Sequence, residues 1–243
     1  MLLQVRGLTK RFGGLLVVNN VDFDISEKEI VGLIGPNGAG KSTIVNLITG
    51  VYKPDGGTVT FDGRQIQGKS THHIGSIGIT RTFQIPKPMK KMTSLENVMV
   101  GSTFGRGRER SREAAKVKAF EILERVGLAN RSEVLAQGLT PSECRRLEIA
   151  RAMATLPKLL MLDEVMAGLS AAESEDMMAL IRKLRASGLT IMMIEHVMRI
   201  VMKLSDRIVV IDAGEKICEG APAQVTNDEK VIAAYLGRSY SRR

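Results

Sequence analysis

The chain has 243 residues, with 35 Lys+Arg against 26 Asp+Glu for a formal net charge of +9, and is 44% hydrophobic but only 4% aromatic. That apolar content excludes a disordered chain, and no apolar run reaches the roughly 18 residues that a membrane-spanning helix needs. Residues 1–6 lack the apolar stretch of a signal peptide, so a cytoplasmic location is expected. Cys144 and Cys218 have neither metal-ligand spacing nor a disulfide framework.

The positive charge is localised. Residues 81–131 hold 12 basic and 5 acidic side chains, a net of +7, and the last six residues add three Arg. Residues 1–80 carry +2 and residues 132–237 carry −3. The basic stretch includes Arg106, Arg108, Arg110 and Arg112, without interleaved aromatics or a groove-reading motif. A nucleic-acid partner is therefore not expected, and attraction to anionic headgroups is the better use of the charge.

In chain order, residues 3–8 and 17–25 alternate apolar and polar, as half-buried antiparallel strands do. Residues 30–34 form a continuous apolar run, which fits a strand buried on both faces. A glycine-rich loop and a helix over 42–49 follow. Asp55-Gly56-Gly57 and Asp62-Gly63 mark turns around two short strands. From Ser94 the pattern turns helical, with helices over 94–97, 113–125 and 141–155 and a loop over 105–112. Residues 159–162, 190–194 and 207–211 read as buried strands alternating with helices.

Gly35-Pro36-Asn37-Gly38-Ala39-Gly40-Lys41-Ser42 fits the phosphate-loop pattern and lies between a strand and a helix, as that motif requires. Its glycines let backbone N–H groups close around phosphate oxygens, at a helix N-terminus whose partial charge is positive. Residues Gly35 to Thr43 are the expected nucleotide contacts, with Lys41 on the β- and γ-phosphates and Ser42 on Mg²⁺. Asp163 closes the strand over 159–162 and is expected to orient the metal, while Glu164 polarises the attacking water. The fold expected is α/β: a P-loop NTPase core with an antiparallel β subdomain and an inserted helical subdomain. One domain would cover 1–243, with the core in 1–87 and 157–243 and the helices in 88–156.

From residue 3 to residue 237 the sequence resembles the ATP-binding subunits of ABC transporters. Thr82-Phe83-Gln84 resembles the Q-loop, Ile194-Glu195-His196 the switch histidine, and Phe12 the aromatic that stacks on adenine. The resemblance implies that Gln84 senses Mg²⁺ and the attacking water, and that His196 contacts the γ-phosphate. Phe12-Gly13-Gly14, Arg81 to Gln84, Arg145 to Arg151, Ala167-Gly168-Leu169 and Val231 to Gly237 are similar to importers of branched-chain amino acids and of urea or amides. That resemblance implies ATP and Mg²⁺, a paralogous or identical ATPase subunit as dimer partner, and two transmembrane permeases. It also implies an extracytoplasmic solute-binding protein, and a peripheral place on the cytoplasmic face of the membrane.

The signature departs from this pattern. The family reads Leu-Ser-Gly-Gly-Gln or Leu-Ser-Tyr-Gly-Gln, where this chain has Leu139-Thr140-Pro141-Ser142-Glu143. Thr140 as N-cap, Pro141 at N1 and Glu143 at N3 suit a capped helix start. Thr140 and Ser142 are the expected contacts to the nucleotide of the opposite subunit. Ser142 adds a side chain where glycine allows close approach, and Glu143 adds a negative charge unless it is turned away or paired. Ser170, Val165 and Val197 also replace residues usual in the family. Two readings follow: an asymmetric heterodimer whose faster site uses this chain's phosphate loop, or a dimer in which both sites work. Low-turnover regulation, a lipopolysaccharide-type exporter and a soluble ABC protein of translation or DNA repair are the alternative functions.

Overall fold

The structure, a computed structural model, describes residues 1–107, 109 and 111–236. Arg108 and Arg110 of the basic loop, Gly237 and the three terminal arginines therefore lie outside the described residues. The chain begins with β1 (Leu3–Phe12), β2 (Leu15–Ile25), β3 (Ile30–Ile34), α1 (Lys41–Ile48), β4 (Gly56–Phe61) and β5 (Arg64–Gln65). It continues through α2 (Thr71–Ile77), β6 (Ile79–Arg81), α3 (Ser94–Phe104), α4 (Arg112–Val126), α5 (Pro141–Ala154), β7 (Leu159–Asp163) and α6 (Ala171–Ala186). The last elements are β8 (Thr190–Ile194), α7 (Met198–Leu204), β9 (Arg207–Asp212), β10 (Glu215–Gly220), α8 (Pro222–Thr226) and α9 (Glu229–Leu236).

Two compact units divide these elements. The first, residues 1–74 and 188 onward, holds an antiparallel sheet in the order β2-β1-β4-β5. Its alternation sets the register: Leu3 faces Ile25 and Val5 faces Phe23 across β1 and β2, and all four side chains are buried. The same unit holds β3 between β8 and β9 in parallel, with β10 antiparallel on the outer edge of β9. Every residue of β3 and β8 is buried, which explains their continuous apolar sequence.

The second unit, residues 75–187, pairs β6 with β7 in parallel, Ile79 opposite Leu159 and Arg81 opposite Met161. Helices α3, α4 and α5 pack on one another within it. Each begins with a side-chain cap: Thr93 with Glu96 for α3, Ser111 for α4, and Thr140 with Glu143 for α5. The helix expected over 94–97 runs on to Phe104. Gly101 lies inside it because a Cβ there would come within 2.6 Å of the Arg151 carbonyl of α5. A glycine that reads as a breaker is here the residue that lets two helices approach.

Candidate functional site

The phosphate loop lies in the first unit. β3 delivers the chain into a tight loop where Gly35 has φ +150°, and a Cβ at that position would lie 1.9 Å from the Ile211 carbonyl. Gly40 precedes α1 in the left-handed region (φ 103°), so α1 has no side-chain cap. Its first N–H groups are thus left to a ligand, and the helix dipole favours an anion there. Lys41 is 8% exposed and its Nζ donates to the carbonyl oxygens of Gly35 and Pro36 at 2.7 and 2.9 Å. The ammonium is thereby held over the loop. Asn37 and Gly38 are exposed at the rim, Ala39 is buried, Ser42 presents its hydroxyl at the surface, and Thr43 is half-buried.

Phe12, His196 and Tyr235 belong to the same unit. Phe12 ends β1, is 39% exposed, and meets Tyr52 edge-on with ring centroids 5.2 Å apart. Lys10 lies 5.4 Å from the Phe12 ring centroid. His196 is exposed in the segment between β8 and α7. Burial pushes the Tyr235 phenol of α9 up, and the Gly35 backbone opposes that shift.

The second unit carries the carboxylates. Asp163 is the last residue of β7, and its N–H donates to the Thr82 hydroxyl at 3.0 Å. Glu164 follows with φ +48°, a left-handed conformation that costs a non-glycine residue about 1–3 kcal/mol. That turn presents the Glu164 carboxylate to Gln84, whose Nε2 donates to Oε2 at 2.7 Å. The structure thus brings Gln84 and Glu164 together on the chain's own second unit. Among the described residues no group of three or more His, Cys, Asp and Glu could hold a metal. Mg²⁺ at a phosphate loop needs no such cage, because it keeps waters and substrate oxygens and takes one hydroxyl or carboxylate. The Ser42 residue is exposed in the first unit, and Asp163 is half-buried at the end of β7 in the second.

The signature forms the N-terminus of α5. Thr140 is its N-cap: the Thr140 hydroxyl accepts from the Glu143 N–H at 3.2 Å, and the Glu143 carboxylate accepts from the Thr140 N–H at 2.9 Å. Pro141 has no N–H. Glu143 is also ion-paired with Arg131 at 2.7 Å. Burial works against its charge, but Arg131 and the Thr140 N–H outweigh it and hold the carboxyl below the usual carboxylate range. The charge introduced at this position is therefore paired. Glu173 closes the cap of α6 on Ser170, and that cap, with a smaller contribution from Ser142, holds its carboxyl below the usual carboxylate range.

Arg131, Glu173 and Tyr235 were not singled out by the sequence. Nor were the individual roles of Arg145 and Glu148, whose contacts bridge segments more than 20 residues apart.

The ABC transporter family model matches residues 18–167, and the model for branched-chain amino acid ATP-binding cassette transporters matches residues 215–241. The BraF branched-chain amino acid transport ATP-binding protein of Pseudomonas aeruginosa is 45% identical, over 98% of both chains. This chain belongs to the ABC-transporter ATP-binding subunits. Its further relatives include the LivG protein of Escherichia coli K12, 43% identical over 98% of both chains. Among solved structures, a nucleotide-free cassette from an ABC transporter matches with TM-score 0.89 at 33% identity, covering 97% of this chain and 99% of that one. The ADP conformation of an ABC transporter cassette matches with TM-score 0.88 at 33% identity, covering 97% and 98%. The α/β P-loop cassette fold is thus that of the family, and the chain is an ATPase subunit. No helix among the described residues is long and apolar enough to cross a membrane.

Proposed function

We propose that this ABC subunit binds and hydrolyses MgATP to energise import of branched-chain amino acids. The observation that carries the reading is the near-full-length similarity to branched-chain amino acid transport ATP-binding proteins, in a chain whose phosphate loop and Gln84–Glu164 pair are intact. Gly35 to Thr43 wrap the phosphates, Lys41 offsets their charge, and Phe12 stacks on adenine. Ser42, Gln84 and Asp163 would hold Mg²⁺, which when bound neutralises charge on the β- and γ-oxygens. Glu164 orients and polarises the attacking water, and His196 senses the γ-phosphate. The core of 1–87 and 157–243 carries this chemistry, and the helical part of 88–156 couples it to the permeases.

The subunit acts as one of two ATPase chains on the cytoplasmic face of the membrane, bound to two permeases that receive cargo from a solute-binding protein. The +7 stretch then lies near anionic headgroups, each basic residue contributing at most about 1 kcal/mol. Reconstitution tests the reading. The assembled transporter should hydrolyse ATP faster when its receptor is loaded with leucine; stimulation by urea or short amides alone would reassign the cargo.

The α5 N-terminus supports an asymmetric dimer. Pro141 lacks an N–H and the Glu143 N–H is taken by Thr140, so few donors face a partner's γ-phosphate. The site using this chain's Lys41 and the partner's signature is then the faster one. Lys41→Ala here should lower turnover more than the equivalent change in the partner; equal losses would contradict the asymmetry.

A further inference from the structure

We propose that Arg145 and Glu148 of α5 are positioning residues that fix the backbone on both sides of Gln84, and so hold its amide on the Glu164 carboxylate. This rests on the ATPase reading above and adds two residues to it.

Residues 82–86 leave β6 without regular secondary structure, so nothing intrinsic to the segment fixes Gln84. Three contacts do so. Thr82 is tied to β7: its N–H donates to the Met161 carbonyl at 2.9 Å, and its hydroxyl accepts the Asp163 N–H. The next N–H, of Phe83, donates to Glu148 Oε1 at 2.9 Å. The carbonyl of Gln84 itself accepts from Arg145 Nη1 at 2.5 Å, while Arg145 Nη2 reaches the Ala167 carbonyl at 3.4 Å. Arg145 and Glu148 are three residues apart on one helical face. One turn of α5 therefore grips Phe83, Gln84 and the turn that follows Glu164. Only an arginine, with its forked donors, spans two carbonyls in this way.

The placement of Glu148 is costly for stability alone. The residue is 6% exposed, and its Oε2 is buried with no hydrogen-bond partner among the described residues. A buried carboxylate with half its acceptor capacity unspent destabilises a fold. Burial pushes its carboxyl up, while the Phe83 N–H, Arg145 and Arg151 oppose that shift and Asp163 adds to it. What Glu148 secures in return is the direction of the peptide that carries Gln84.

Steady-state ATP hydrolysis by the assembled transporter carrying each variant of this chain, with kcat and KM separated, tests this. Glu148→Ala should lower kcat about tenfold with KM within about twofold, as expected for misplacing a group used in the reaction rather than in binding. Glu148→Gln keeps an oxygen acceptor for the Phe83 N–H and should recover to within about threefold of wild type. Arg145→Lys, at a half-buried site, should lower kcat about fivefold, and it carries the test if Glu148→Ala does not fold. In a Gln84→Ala background both substitutions should have little further effect, because they act through Gln84. An unchanged kcat in Glu148→Ala and Arg145→Lys, an equal fall in Glu148→Gln, or full additivity with Gln84→Ala would overturn the proposal. Absence of hydrolysis by the wild type would instead overturn the ATPase reading on which it rests.

Discussion

Gln84 Nε2 donates to Glu164 Oε2 at 2.7 Å, joining the third residue beyond β6 to the residue after β7. The two come from segments 80 residues apart, and Glu164 reaches the contact through a left-handed backbone. A general base must be held where a water can be deprotonated, and this hydrogen bond restricts its carboxylate. Glu164→Gln keeps the shape and removes the proposed base. Hydrolysis should fall by about a hundredfold or more while ATP affinity stays within about twofold, read by steady-state turnover and by nucleotide titration.

Lys41 gives the opposite pattern. Its ammonium is buried against the carbonyls of Gly35 and Pro36, and the role proposed for it covers binding as well as catalysis. Lys41→Ala should weaken ATP binding by about tenfold or more, besides abolishing turnover. Fluorescent-nucleotide titration separates this loss from that of Glu164→Gln.

The role proposed for Phe12 is in affinity alone. Its ring is 39% exposed at the end of β1 and braced edge-on by Tyr52. Base stacking is worth about 1–3 kcal/mol, so Phe12→Ala should raise the Kd for ATP about tenfold and leave kcat at saturation nearly unchanged. Equal affinity of the variant and the wild type would remove Phe12 from the site.

The Glu143 cap makes stability depend on pH. Burial raises the Glu143 carboxyl less than Arg131 and Thr140 lower it, so the folded value lies below the ordinary one. A depressed carboxyl contributes stability that is present above its unfolded value and lost as pH falls through its folded value. Glu143→Gln should therefore be about 0.5–1 kcal/mol less stable than wild type at neutral pH. The gap should close as pH falls through that lowered folded value. Denaturant melts of the two proteins across that range check the sign.

Much of the site was readable because its chemistry is local in sequence. The phosphate loop spans consecutive residues between a strand and a helix, and the Thr140–Glu143 capping box spans one turn; both lie where their spacing placed them. Tertiary contacts were not readable. β6 is three residues held by pairing with β7, α2 has too little periodicity to announce itself, and α3 extends past Gly101 only because α5 lies close. The Arg131–Glu143 pair resolved a conflict that the signature alone left open, since sequence shows the charge but not its partner. Arg145 and Glu148 likewise read as ordinary helix residues until the fold sets Phe83 and Gln84 beside them.

The central claim is that ATP hydrolysis by this chain powers uptake. The most direct measurement is uptake of radiolabelled leucine into vesicles holding the assembled transporter, with receptor outside and ATP inside, for wild type and Glu164→Gln. The account predicts ATP-dependent accumulation by the wild type and none above background by the variant. Accumulation by Glu164→Gln at the wild-type rate would contradict it.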